Sequence, residues 1–415
     1  MAQVRNTLSG LQRMNEFTPV RSETAQSATR VRGLRLAVVT RADQIKDEWL
    51  ALQKSGWVTP YQCFDWVNTW QQAISAGRKE DVRIVTVRDE SGVLQAIFPL
   101  VVQTSWGTRI LRWISDSQVN YGMPVMSQAF AASIAEDCKW LLAELMSQLD
   151  RVDAVHLDKQ PATWGGKPNP LAGLFTDVGA NSTYLFDLAP DFNELYRQKR
   201  SKSTRRNSKR RDAKLERLGP LVFGLPENPD ETEHVINTLF RFVETRLAEK
   251  GIKDPYGETG LAFYQALARL PKDASLQISP YFLRSNGEIV SVMMGSEFQG
   301  VFSGLVCSIT DGPQKEFSPG DAALRRTIEA CCEKGLMKFD FSAGHSDYKM
   351  HWAEEVIPLH DTLHAVTGAG YKYVAIARPG LSTKRLIKRS DWLWRTIKQA
   401  RKLGAPAKSP SKKAG

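Results

Sequence analysis

The chain has 415 residues, 56 Lys and Arg against 45 Asp and Glu, and 42% apolar residues. This is the composition of an ordinary soluble globular protein of two or three domains, and it excludes a wholly disordered chain, a collagen-like repeat and a membrane-embedded bundle. The net charge of +11 is the outlier; it invites an anionic partner, but only its placement along the chain says where one would bind.

Residues 1–33 form a polar arm with no secretory h-region, and disorder is expected there. A first domain is expected over 34–189. It reads as a strand at 34–39, helices at 42–54 and 64–76, and strands at 82–87 and 93–102 joined through Asp89-Glu90-Ser91-Gly92. A third strand at 109–114, a helix at 129–149 and strands at 154–157 and 183–188 complete it. The apolar run 93–102 contains Gln95 and Pro99 and is about half the length a membrane helix needs. Residues 190–218 read as one basic linker helix, in which 197–217 carries 11 Lys and Arg and two acids.

The second domain, 219–368, opens with a strand at 221–224 and helices at 231–250 and 259–270. Three strands follow at 276–283, 289–298 and 301–307, turning through Asn286-Gly287 and Gln299-Gly300, and Asn-Gly between apolar runs is a strong hairpin signal. Ser318 before Pro319 predicts a helix start and Gly335 its end. A strand at 337–341, a helix at 345–353 and a strand at 360–366 close the domain. The order of elements repeats that of the first domain without a shared residue pattern. This predicts two tandem α/β (α+β) domains, each a mixed, largely antiparallel sheet flanked by helices. A basic tail, 369–415, follows as one or two helices bearing Trp392 and Trp394, disordered beyond about Gly404.

Residues 371–415 hold 13 basic residues and one acid, and residues 1–35 hold six and two. With arm, linker and tail set aside, 26 basic and 40 acidic residues remain, so the body is acidic at −14. Five cysteines without a C-x-x-C pair predict neither a disulfide framework nor a metal site, and favour a reducing, cytoplasmic compartment.

Phe317-Ser318-Pro319-Gly320, the helix ending at Gly335, Phe339-Asp340-Phe341, Gly344 and Tyr348-Lys349-x-x-Trp352 together resemble the CelD/BcsL-type acetyltransferases. That family is a branch of the GNAT superfamily related to the double-GNAT Fem transferases. Thr59-Pro60-Tyr61 with Trp66 and Trp70, Pro99-Leu100 and Asn120-Tyr121-Gly122 resemble its N-terminal landmarks, so the resemblance spans about residues 35–367. Asn120 departs from it, standing where the family is expected to carry an Asp. The resemblance implies two GNAT domains and transfer of an acyl group from acyl-CoA to the amine of a sugar, amino acid or similar metabolite, often in connection with exopolysaccharide or cellulose production.

A helix N-terminus over Ser318, Pro319, Gly320 and Asp321 offers N–H groups and a positive dipole end to a pyrophosphate, and Arg325 either adds charge there or faces water. In the superfamily the preceding strand lines the acyl-pantetheine, which implies Ser303, Gly304 and Leu305; Gly304 either marks a bulge or serves packing. A backbone N–H on that strand could polarise the thioester carbonyl. Tyr348 matches the superfamily's general acid or is a core tyrosine. His345 and Asp340 are candidate bases, with a loop histidine and a backbone-bonding carboxylate as the alternatives. Lys349 could hold an anionic group of the acceptor or the CoA phosphates, and Tyr121 and Trp352 join it as substrate contacts.

Two other functions stay open. One is a Fem-like transferase using aminoacyl-tRNA, although no aromatic side chain interrupts 197–217 to stack a base. The other is a non-catalytic GNAT-shaped protein resting on a polysaccharide synthase or, through its basic tail, on the anionic inner face of the membrane.

Overall fold

The computed structural model describes residues 33–78, 80–114 and 118–389, and every structural statement below concerns these. The first half runs β1 (Arg35–Val39), α1 (Lys46–Ser55), α2 (Phe64–Trp70), a π-turn into α3 (Ala76–Arg78), then β2 (Asp81–Arg88), β3 (Leu94–Ser105) and β4 (Thr108–Trp113). After it come β5 (Val125–Met126), α4 (Gln128–Ile134), α5 (Cys138–Ser147), β6 (Ala154–Pro161), the small hairpin β7 (Thr163–Trp164) and β8 (Lys167–Pro168), and β9 (Asp177–Asp187). Helices α6 (Phe192–Lys199) and α7 (Lys202–Arg217) lead into the second half. That half runs β10 (Leu221–Gly224), α8 (Pro229–Ala248), α9 (Gly257–Ala268), β11 (Gln277–Ser285), β12 (Glu288–Phe298), β13 (Val301–Ile309), α10 (Pro319–Glu333), β14 (Lys338–Ala343), α11 (Asp347–Met350), β15 (Glu355–Ala365) and α12 (Gly368–Arg389).

Local chemistry explains most boundaries. Asn286-Gly287 and Gln299-Gly300 have positive φ at both central residues, the twist that two-residue hairpins need. Asn228 accepts the Glu231 N–H ahead of Pro229, starting α8. The expected linker helix is two helices. Arg200 is extended, and Ser201 begins α7 by accepting the Thr204 N–H. The helix expected at 129–149 is likewise two, the one at 345–353 shrinks to the single turn α11, and the last strand begins five residues earlier, at Glu355. Trp392, Trp394, the arm before residue 33 and the end of the tail lie outside the described residues.

Twelve strands form one continuous path, β1-β2-β3-β4-β6-β15-β9-β14-β13-β12-β11-β10, with β5 added to β3. Each half contributes one parallel pair, β4 with β6 and β13 with β14. The halves also exchange ends. The last strand of the described residues, β15, pairs with β6, whereas β9, which ends the first half in sequence, pairs with β14. β15 and β9 pair with each other and join the two halves into one sheet.

Helices cover both faces. On one face α1, α2, α8 and α9 bury a single apolar cluster that includes Trp49, Trp66, Phe263 and Val292. On the other, α4 and α5 cover the first half over Phe98 and Leu100, and α10 covers the second over Phe302 and Phe339. β3 serves both faces, Ile97 and Val101 on one side and Phe98 and Leu100 on the other, which is why it reads as an almost unbroken apolar run.

Candidate functional site

β13 and β14 are hydrogen-bonded from Val301–Lys338 only as far as Ser303–Asp340, and beyond that point they part. Both strands are irregular there. On β13, Gly295 of β12 faces Gly304 and Met294 faces Val306, so Leu305 is an extra, bulged residue. On β14, Asp340 faces Leu185 and Ala343 faces Thr183, and Ser342 takes a left-handed conformation with φ 60°. A Cβ on Gly304 would lie 3.6 Å from the Asp340 carbonyl oxygen, an ordinary contact, so crowding does not demand glycine there.

Asp340 sits at the point of divergence and is 0% exposed. Its carboxylate accepts from the Tyr121 hydroxyl (2.6 Å), the Thr183 hydroxyl (2.9 Å), the Ser342 N–H (2.7 Å) and, more weakly, the Ser303 hydroxyl (3.4 Å). Burial pushes its pKa above the usual carboxylate range, and the hydrogen bonds from Tyr121, Ser342 and Thr183 oppose that shift. Tyr61 reaches the same place, with its hydroxyl 3.2 Å from the Ser342 hydroxyl, and the Asn120 amide donates to Tyr61 at 2.8 Å. Landmarks 280 residues or so apart in sequence are therefore brought together, and Tyr121 stands inside the protein beside Asp340 instead of lining a surface.

Across the mouth of the gap stands Tyr348, 40% exposed. Partial burial and the neighbouring Cys307 side chain of β13 push its pKa well up, while the Arg246 guanidinium, bonded to the Cys307 carbonyl (3.0 Å), pulls it down. The neighbouring Lys349 turns inward and donates to the carbonyls of Phe341 (2.8 Å), Ser342 (3.2 Å) and Ala343 (3.3 Å); burial holds its ammonium below the usual lysine range. His345 is exposed at the gap, with Nδ1 3.0 Å from the Tyr184 hydroxyl. Trp352 is 1% exposed and stacks on Tyr196, packed in the core of this half.

At the end of β13, α10 begins differently from the sequence expectation. Ser318 is left-handed (φ 57°) and makes no side-chain cap; its carbonyl instead accepts from the Asp321 and Ala322 amides. That leaves the Gly320 amide as the donor at this end. A Cβ on Gly320 would come within 3.0 Å of Ile309, so the first turn lies close against β13. Asp321 accepts from Ser208 of α7 (3.0 Å) and from Arg325 (3.1 Å). Arg325, its side chain 12% exposed, also bonds Asp212 of α7 at 2.7 Å and is thereby turned toward α7.

Sequence reasoning did not single out Thr183, Arg246, Cys307, Ser208 or Asp212. Tyr61 was legible as a landmark, but the others carry no local pattern because their partners are distant in sequence. Among the described residues no group of three or more His, Cys, Asp or Glu side chains is placed to hold a metal ion, and no helix is long and apolar enough to cross a membrane.

Residues 202–350 match the family model for an acetyltransferase (GNAT) domain, a span that opens at α7 and ends with α11. No curated protein sequence matches the chain. Among solved structures, FemX is similar at 11% identity over 82% of this chain and 99% of its own, with a TM-score of 0.55. L-PGS from Bacillus licheniformis is similar at 14% identity over 83% and 97%, TM-score 0.45. A tandem GNAT protein from the clavulanic acid biosynthesis pathway is similar at 11% over 80% and 98%, TM-score 0.41. Residues 202–350, which hold the bulged β13 and its parting from parallel β14, thus carry the match to a GNAT acetyltransferase domain, and the chain folds as two GNAT-like halves on one sheet, a fold it shares with FemX.

Proposed function

We propose that the chain is an acyl-CoA-dependent N-acyltransferase that works in the gap between β13 and β14, on a small amine such as an amino sugar or amino acid. The observation that carries this is the gap itself: a bulged strand parting from its parallel neighbour at Ser303–Asp340, with a tyrosine hydroxyl across the opening. The backbone of β13 beyond Ser303 is free of β14 and can pair with an extended acyl-pantetheine arm, supplying the thioester when acyl-CoA is bound. The Gly320 amide at the start of α10 and exposed cations of α7, including Lys214 beside Phe317, fit the phosphates. Arg325, held by Asp212 and Asp321, is not assigned to them.

Transfer makes a C–N bond and breaks a C–S bond, so one proton must leave the amine and one must reach the sulfur. Tyr348, protonated at neutral pH as an ordinary tyrosine is, is the donor to sulfur. His345 is the acceptor from the amine. With Nδ1–H donating to Tyr184, the lone pair lies on Nε2, 3.9 Å from the exposed Asp347 carboxylate; the other tautomer has no such lone pair at Nε2. Asp340, buried and fully bonded, takes no part in proton transfer in this scheme. A link to cellulose or exopolysaccharide production and a cytoplasmic setting belong to the same proposal and rest on the family resemblance.

Thermal unfolding with a panel of acyl-CoA esters tests the assignment. Ligand at about a hundred times Kd is expected to stabilise the protein by roughly 2.7 kcal/mol, and no shift with any ester would remove acyl-CoA as donor. One observation favours a second donor. Arg206, Lys209, Arg210 and Arg211 are exposed on α7, whose Asp212 faces inward to Arg325 and Arg326. An aminoacyl-tRNA donor would show as tRNA binding that weakens steeply with salt and is indifferent to acyl-CoA.

A further inference from the structure

The second half's gap is shaped by a residue of the first half. β14 leaves β13 at Asp340, and the same carboxylate accepts the N–H of Ser342 two residues on, folding the strand into a tight turn. Ser342 is a non-glycine residue at φ 60°, a strained conformation that persists only where its surroundings impose it. Three contacts impose it here: the Asp340 carboxylate on its N–H, the Tyr61 hydroxyl on its side chain, and Lys349 Nζ gathering the carbonyls of residues 341 to 343. The Asp340 carboxylate is in turn held by hydroxyls of Tyr121 and Thr183, and Tyr121 belongs to the first-half segment that lies between β4 and β5.

We propose that Tyr121 and Asp340 are positioning residues that set the width of the β13/β14 opening, so that the first half controls the second half's site without touching its ligand. Tyr121 holds the carboxylate, the carboxylate holds the kink at Ser342, and the kink carries the carbonyls that anchor Lys349. The adjacent Tyr348 therefore stands across from Cys307 at a separation that the first half helps to fix. The name of the guest, an acyl-CoA, rests on the function proposed above; the coupling between halves does not.

The test compares Tyr121→Phe, which removes one oxygen, with Tyr264→Phe, a buried tyrosine of the same apolar cluster whose hydroxyl is not bonded to Asp340 or Ser342. Calorimetry with acetyl-CoA is done at a temperature where both variants are folded. Tyr121→Phe is expected to bind about tenfold more weakly, the order of effect of losing a hydrogen bond to a charged group, while Tyr264→Phe binds like wild type even if it loses as much thermal stability. Asp340→Asn is expected to act in the same direction; should it fail to fold, Tyr121→Phe decides alone. If wild type does not bind acetyl-CoA, the donor assignment fails, and the coupling is read from iodoacetamide alkylation of Cys307 in the free protein. Tyr121→Phe should change that rate several-fold and Tyr264→Phe should not. Equal behaviour of the two variants in the readout that applies overturns the proposal.

Discussion

Each half contains a short parallel pair that opens, and the two openings have opposite fates. In the first half β4 and β6 pair only at Ile110–Ala154 and Leu111–Val155, and the space beyond is filled by the chain itself. The Gly122 amide donates to the Lys159 carbonyl (3.0 Å), Lys159 Nζ reaches back to the Val119 carbonyl (2.9 Å), and a Cβ on Gly122 would lie 2.1 Å from the Trp113 ring. The helix that follows is closed too, with the Ser127 hydroxyl accepting the Phe130 N–H at its start. In the second half β13 is bulged, and Ser318 leaves its helix without a side-chain cap. Both kinks use a left-handed non-glycine residue, Lys159 at φ 57° and Ser342 at φ 60°. One backbone device thus accompanies a filled joint in one half and, in the account proposed above, the ligand-binding opening in the other.

The comparison breaks most sharply at Tyr348. Tyr348→Phe should slow release of CoA thiol from acetyl-CoA by about 10²–10⁴-fold, the usual worth of a general acid, while leaving urea unfolding within about 0.5 kcal/mol of wild type. Next in size is a pair of glycines. Gly122→Ala forces a methyl group into Trp113 and should cost about 1–3 kcal/mol in urea unfolding, whereas Gly304→Ala, in the open half, should cost little. Equal costs would mean that the two openings are packed alike.

Helix starts give a smaller contrast. Ser127→Ala should lose about 1 kcal/mol with its cap, but Ser318→Gly should gain up to about 1 kcal/mol by relieving the left-handed backbone. Differential scanning calorimetry separates the two signs.

A buried histidine of the first half adds a pH dependence. His156 of β6 is buried with Nδ1 2.7 Å from the Tyr373 hydroxyl, and burial together with Arg112 lowers its pKa from 6.5 to about 4. The unfolded chain therefore binds the proton first, so the stability that His156 contributes is complete above pH 6.5 and is lost as pH falls toward 4. His156→Gln should flatten the fall of Tm over that window.

Much of this arrangement was visible in the residues before the fold was. The Asn286-Gly287 turn, the start of α10 at Pro319 and the repeated order of strands and helices are local signals, set by φ preferences and periodicity, and they lead to the tandem fold. The exchange of β9 and β15 was not legible, because it depends on pairing between strands whose residues lie about 170 positions apart, such as Thr183 with Ile357. Arg325 looked like a phosphate ligand from its place in the helix, and only the packing of α7 shows it bonded to Asp212. The break at Ser201 was not legible, because Ser203, Thr204, Asn207 and Ser208 in the same basic run are equally plausible caps. Tyr121 and Asp340 were each legible as landmarks, but their meeting is a property of the joined sheet.

The claim that the second half's opening is the donor site is tested most directly at Cys307, the exposed one among the chain's five cysteines; the other four are buried. Its thiol lies on β13 against Tyr348, inside the proposed gap. Saturating acetyl-CoA should slow iodoacetamide alkylation of Cys307 by at least about tenfold, as expected for a thiol covered by a bound ligand. Acetyl-CoA that binds, as judged by a raised Tm, yet leaves Cys307 reacting at its free rate would place the donor elsewhere and contradict the account.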